Sequence, residues 1–336
     1  MIRTAPLLAA LLVIVAPAQA LAWGSMGHRI VGEAAMGALP PEVPAFLRTA
    51  QSLRDVGELS REPDRSKGAG KVHDHNRDAG HFLDLDDEGR LLGGPPFLPL
   101  PATRADYEKA LQAAGLDSWK AGYLPYSIID QHQQLAKDFG YWRVLGAAAA
   151  REKNPERRAW LKRDLVRREA QILQTIGALS HFVGDGSQPM HVSVHYNGWG
   201  REYPNPKGYT TARVHGPFES EFVFNNVKAA VVKAKMAPLK SCGCPVEKRT
   251  VDYLSATATQ VVPFYEMEKA GGLASGSPLG VAFAADRLAV GASELRDMIV
   301  SAWRASAEVT VGWPVVRVDD VLAGKADPYD ALYGKD

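Results

Sequence analysis

Apolar residues recur at three and four positions through 106–114, 127–150, 156–183, 219–236, 251–270 and 281–306. That period places them along one face of an α-helix. Each such stripe must be buried against another element, so the pattern commits the chain to helix-on-helix packing, and the expected fold class is all-α. Alternation of the strand kind is confined to 315–318, and the stretches 93–101 and 197–208 are rich in glycine and proline, which marks them as long surface loops. No repeat, linker or composition shift divides the chain, so one large multi-helical domain is expected over 23–336. A hydrophobic content of 46% is enough to build its core.

The first segment has a different character. Met1-Ile2-Arg3 carries one positive charge, an apolar run follows from Pro6 to Ala16, and Gln19-Ala20-Leu21-Ala22 ends in small residues. This reads as a signal peptide, 1–22, cleaved after Ala22, and implies export to the periplasm or beyond. The run is too short to span a bilayer comfortably. A formal net charge of +1 leaves no broad basic footprint, which disfavours tight, sequence-specific duplex binding. The only two cysteines, Cys242 and Cys244, are separated by one glycine. That spacing is expected to strain a disulfide and cannot furnish a four-cysteine zinc site.

Among nine histidines, two stand four residues from an acid: His181 before Asp185 and His215 before Glu219. On a helix such a pair projects from one face. Gly184, Gly186 and Pro189 are expected to end the first helix and turn His191 back toward it, while Pro217 suits a first helical turn. Imidazole with carboxylate favours zinc over calcium or magnesium, although either pair alone is more often an ion pair than a ligand pair. Cleavage after Ala22 would make Trp23 the first residue, with His28 five positions on, near a helix start. The free α-amine and the carbonyl of Trp23 can then form a five-membered chelate that His28 completes. Asp64, after Pro63, and His81, after Gly80, sit where the backbone can bend toward a pocket.

Other signals are discounted. Gly68-Ala69-Gly70-Lys71 lacks the spacing of a phosphate loop, and the acidic run from Asp84 to Gly89 has Pro95 where a calcium loop needs a bidentate carboxylate. Neither a G-x-S-x-G elbow nor an H-E-x-x-H helix occurs. His73, His75 and His195 read as loop and surface histidines.

Trp23-x4-His28, Asp64, His81-Phe82-x-Asp84, His181-x3-Asp185, Gln188-Pro189-Met190-His191 and His215-x3-Glu219 together resemble the zinc-dependent phospholipase C and single-strand nuclease superfamily. The helix after Ala285, with Arg287-Leu288-Ala289 and Gly291, is similar to the last long helix of its nuclease branch, which includes fungal and plant nucleases. The resemblance implies that superfamily's helical fold and three zinc ions. Asp64, His81, His181 and Asp185 would hold one zinc; Trp23, His28 and the bridging Asp185 a second; His191, His215 and Glu219 the third. It implies hydrolysis of phosphodiester bonds by a hydroxide bridging two zincs, with Asp64 and Asp185 as catalytic carboxylates. Lys67 would contact phosphate, Phe82 would stack on a nucleobase and Asp84 would bond its edge. The implied activity is a sugar-nonspecific endonuclease on single-stranded DNA and RNA leaving 5′-phosphates, extending to 3′-phosphate removal from nucleotides. No protein partner is required, and a monomer is expected.

Two alternatives stay open. Glu219 is glutamate, as in the phospholipases, where fungal and plant nucleases carry aspartate, so phospholipid is an alternative substrate. The short Trp23-to-His28 spacing, the loop with Asn197-Gly198-Trp199-Gly200 and the additional C-terminal helices resemble the nuclease branch instead. An exported zinc-binding protein without catalysis is the second alternative.

Overall fold

The computed structural model describes residues 23–334, so the signal segment 1–22 and the cleavage expected after Ala22 lie outside the described residues. The chain is mostly helical, as the periodicity demands. Four helices come before residue 78: α1 (Ser25–Gly37), α2 (Ala50–Leu59), α3 (Glu62–Arg65) and α4 (Lys71–Arg77). Two more, α5 (Arg104–Ala113) and α6 (Ser118–Ala121), lead into α7 (Leu124–Arg151) and α8 (Pro155–Ser187). These last two fold back on each other across the turn 152–154. Asn154 starts α8 by accepting the amides of Glu156 and Arg157 at 2.9 and 3.1 Å, while Pro155 occupies the first turn, where its missing donor costs nothing.

The second half carries α9 (Val223–Asn226), α10 (Ala229–Lys235), α11 (Val246–Ala258), α12 (Val261–Lys269) and α13 (Pro278–Ala305). A two-stranded ribbon follows, with β1 (Thr310–Val311) antiparallel to β2 (Val316–Arg317), then α14 (Val318–Leu322) and α15 (Tyr329–Tyr333). Helix α13 packs on α1, α7 and α8, and α2 covers α1 and α8. Their apolar stripes, such as Ile172, Ile176, Leu179 and Val183 of α8, enter one contiguous core running from Trp23 to Ala302. Burying each such side chain contributes about 1.5–3 kcal/mol. Small residues set the closest approaches. A Cβ at Gly177 would lie 2.5 Å from the Leu59 Cβ, and one at Gly291 would lie 3.0 Å from the Ser187 Oγ. Among the described residues no helix is long and apolar enough to cross a membrane.

Several expectations need correcting. The helix over 156–183 continues to Ser187, so Gly184 and Gly186 lie inside it and serve packing instead of termination. The stretch 219–236 is a π-helical turn (Pro217–Phe222) followed by α9 and α10, broken at Val227, whose backbone is extended. The stretch 251–270 is two helices, α11 and α12. Pro263 lacks the amide that would bond the carbonyl four residues earlier, and the chain breaks at Thr259 and Gln260 as that deficit requires. The loop 197–208 is not wholly superficial, because Trp199 is buried against the side chain of Tyr265. Cys242 and Cys244 are bonded, with Cα atoms 5.1 Å apart. Gly243 makes this feasible, since its φ of +58° curls the chain in a way other residues resist.

Candidate metal centre

Helix α8 brings His181 and Asp185 to one face, one turn apart, both wholly buried. Around them converge His28 from α1, Asp64 from α3 and His81 from the 3-10 turn Asp78–His81. The Asp185 Oδ2 lies 3.1 Å from His81 Nδ1 and 3.3 Å from His181 Nε2, while its Oδ1 lies 3.5 Å from His28 Nε2. Asp64 approaches from the far side, with Oδ1 at 3.8 Å from His181 Nε2 and 3.9 Å from His81 Nδ1, and Oδ2 at 4.0 Å from His28 Nε2. His28 and His181 stack with ring centroids 4.0 Å apart. Gly184 makes room for this stack, since a Cβ there would come within 3.1 Å of His28 Nδ1.

A third group lies beside these. His191, in the 3-10 turn Pro189–His191, places Nε2 3.1 Å from His215 Nε2 and 3.2 Å from Glu219 Oε1. His215 and Glu219 flank Pro217 and close to 2.6 Å. The sequence-derived ligands other than Trp23 thus fall into three sets: His28, His181 and Asp185; Asp64, His81 and His181; and His191, His215 and Glu219, the nitrogens and oxygens of each within 4.8 Å of one another. Four ligands at tetrahedral zinc distances stand roughly 3.4 Å apart, which these separations bracket.

The chemistry of the donors fits a cation. The His181 Nδ1 donates to the Ser60 carbonyl at 2.8 Å and the His191 Nδ1 to the His81 carbonyl at 2.7 Å, a tautomer assignment that follows from the carbonyl partners. Both Nε2 atoms are thereby left with a lone pair aimed inward, the arrangement by which backbone carbonyls orient metal-binding histidines. Both nitrogens of His28, one oxygen each of Asp185 and Glu219, and the His215 Nδ1 are buried without a hydrogen-bond partner, while the Asp64 Oδ1 is paired with the Lys67 ammonium. So many orphaned polar atoms in one place cost several kcal/mol unless something charged meets them. Burial, followed by neighbouring charges, holds His28, His81 and His181 below the usual imidazole range, so these rings are neutral. Burial likewise pushes the Asp185 carboxyl up. On Glu219, burial is outweighed by His215 and His191, leaving it at about 2.

Trp23 is buried beside the cluster, its indole N–H donating to the Ser187 Oγ at 2.9 Å. Its role as a free-amine ligand depends on cleavage at Ala22, outside the described residues. Lys67 pairs with Asp64 at 2.6 Å and its side chain is largely buried. Phe82 is half buried and Asp84 buried, with the Asp84 carboxyl pushed well up by burial. Their segment is tied to the centre by the Leu83 amide, which donates to the His191 carbonyl at 2.8 Å. Neither residue lines the two clefts that reach the cluster, one of ≈ 960 Å³ bordered by His81 and one of ≈ 560 Å³ bordered by His28 and Asp64.

Sequence reasoning missed three contributors. Gln188 donates to Glu219 Oε1 at 2.6 Å, Ser60 supplies the carbonyl that orients His181, and Phe182 sets its edge against His81 at the mouth of the larger cleft. Only Gln188 and Phe182 had a signal, their adjacency to ligands. His195 is also corrected: it is wholly buried, its Nδ1 accepting the Gly200 amide at 3.1 Å, its Nε2 3.2 Å from Asp87 and its ring stacked on Trp199. His73 is half buried and His75 is exposed against Trp119, apart from the three sets. No family model, curated protein or solved structure matches the chain.

Proposed function

We propose that the chain is an exported zinc-dependent phosphodiesterase, acting as an endonuclease on single-stranded DNA and RNA to leave 5′-phosphates and removing 3′-phosphates from nucleotides. The observation that carries the reading is the convergence of three His/Asp/Glu sets, several of their buried atoms without a hydrogen-bond partner, with His81 in the wall of one cleft and His28 and Asp64 in the wall of another. Asp64, His81, His181 and Asp185 would hold one zinc, Trp23, His28 and Asp185 a second, and His191, His215 and Glu219 a third. Bound zinc would supply Lewis acidity, activating water and offsetting phosphoryl charge. The chain's own residues do the rest. The neutral imidazoles of His28, His81 and His181 offer lone pairs to a cation, and Gln188 orients Glu219 through its 2.6 Å bond. Lys67, whose ammonium is paired with Asp64 at 2.6 Å, is the group proposed to meet a phosphoryl oxygen. The half-buried Phe82 and the Asp84 carboxyl are the groups proposed to receive a base. The Cys242–Cys244 disulfide supports an oxidising compartment, in keeping with export.

Glu219 favours one second reading, phospholipid hydrolysis, because glutamate at that position is the phospholipase choice. Protein beginning at Trp23 and loaded with defined zinc should degrade single-stranded DNA and lose that activity on chelation. Efficient hydrolysis of phosphatidylcholine with single-stranded DNA left intact would reject the nuclease assignment. Stoichiometric zinc with no turnover on either would leave storage.

A further inference from the structure

The cleft of ≈ 560 Å³ opens between the start of α1, the short α3 and the turn leading into α9, with His28 and Asp64 in its wall. Its lining includes Phe224 of α9, 65% exposed, although Phe218 and Phe222 on the preceding π-helical turn are buried. A phenylalanine left in water beside an ordered polar cluster offers an unused ring face. Next to it stand Glu221 and Asn225, both exposed, whose side chains have no partner among the described residues. Arg65, paired with Glu62 at 2.7 Å and 58% exposed, borders the same opening. Helix α3 forms part of the wall of both clefts, Asp64 and Arg65 facing this one and Glu62, Pro63 and Ser66 the larger. A flexible polymer lying over α3 would therefore pass from one cleft into the other beside the cluster.

We infer that this cleft is a nucleobase subsite, in which Phe224 stacks on a base of the nucleotide bound on the His28 side while Asn225 and Glu221 bond its edge. The inference rests on the nuclease reading and adds to it a binding site separate from Phe82 and Asp84. The chemistry selects a base over an acyl chain. A lipid tail would cover Ser25, Glu221 and Asn225 with nothing to bond them, whereas a base brings donors and acceptors on its edge and a π-face for the ring. Arg65 supplies the charge appropriate to the following phosphate.

The test uses zinc-loaded protein starting at Trp23 and a non-cleavable single-stranded oligonucleotide containing 2-aminopurine, whose fluorescence falls on stacking. Wild-type protein should quench it, Phe224→Ala should not, and Phe224→Trp should restore the effect. On cleavable oligonucleotide, Phe224→Ala should raise KM by about 5- to 150-fold, the range of one lost base stack, with kcat changed far less. Unaltered zinc content and melting temperature would show that the substitution left the fold intact. Undiminished quenching and an unchanged KM in Phe224→Ala, with DNA still cleaved, would overturn the subsite and leave the nuclease reading standing. Loss of phosphatidylcholine hydrolysis in Phe224→Ala, from a protein that ignores DNA, would overturn both.

Discussion

Gly184 shows how one missing atom shapes the centre. It follows Val183 inside α8, where alanine would be the better helix former by about 1 kcal/mol. Yet a Cβ there would meet His28 Nδ1 at 3.1 Å, and the ring would have to retreat from Asp185 by a few tenths of an ångström. Gly184→Ala should therefore leave the metal-free protein as stable as wild type, or slightly more so, while weakening the zinc bound through His28 on the order of 10-fold. Competition with a chelator of known affinity, set beside thermal melting of the stripped protein, separates the two effects; unchanged zinc affinity would show that the glycine is not there for the histidine. At this scale two pairs of the sets were readable because His181 to Asp185 and His215 to Glu219 each repeat at one helical turn, a local property. The Ser60 carbonyl behind His181 comes from 121 residues away in the chain, and no periodicity reports it. His195 was misread for a similar reason: its burial depends on Trp199 and Tyr265, contacts made by folding a loop inward.

Between elements, the joint of α7 and α13 is made by His132, whose Nε2 lies 2.7 Å from the Ser301 Oγ while its Nδ1 is buried without a partner. Burial, reinforced by the charge of Arg249, holds His132 at about 4, against 6.5 for a free imidazole. The unfolded chain thus takes up the proton first as pH falls, and the folded state loses stability between about 6.5 and 4. The loss attributable to this one group is about 3 kcal/mol. Gln at this position keeps a polar tip without titrating. The difference in unfolding free energy between wild type and His132→Gln should shrink by about 2 kcal/mol of this from pH 7 to pH 4.5, as read from denaturant curves of metal-free protein. A constant difference would mean that His132 titrates normally. The long helices α7, α8 and α13 were legible from their stripes, whereas the breaks at Val227 and Thr259 were not. Periodicity carries across a short interruption, and only Pro263 marked one of the two breaks locally.

For the molecule as a whole, the donors of the three sets come from both ends of a long stretch of chain, so a cation bound there would couple its binding to folding. His28 lies on α1, His81 follows α4, and His215 and Glu219 lie beyond α8. Each zinc held at 100 times its dissociation constant adds about 2.7 kcal/mol to the stability of the native state. The first described residue tests this coupling most sharply. The Trp23 indole is already anchored by its bond to Ser187 and its contact with Phe218, so a residue placed before it need not move the ring. What changes is the amine, which becomes an amide and can no longer donate a lone pair. Protein carrying one additional residue before Trp23 should melt like the authentic form when both are stripped of metal. On adding zinc it should bind two equivalents tightly instead of three, gain about 2.7 kcal/mol less stability at 100-fold excess over the dissociation constant, and lose most of its phosphodiesterase activity. Elemental analysis and melting with and without zinc read the first two, and equal zinc content with equal rates in both forms would remove Trp23 from the centre.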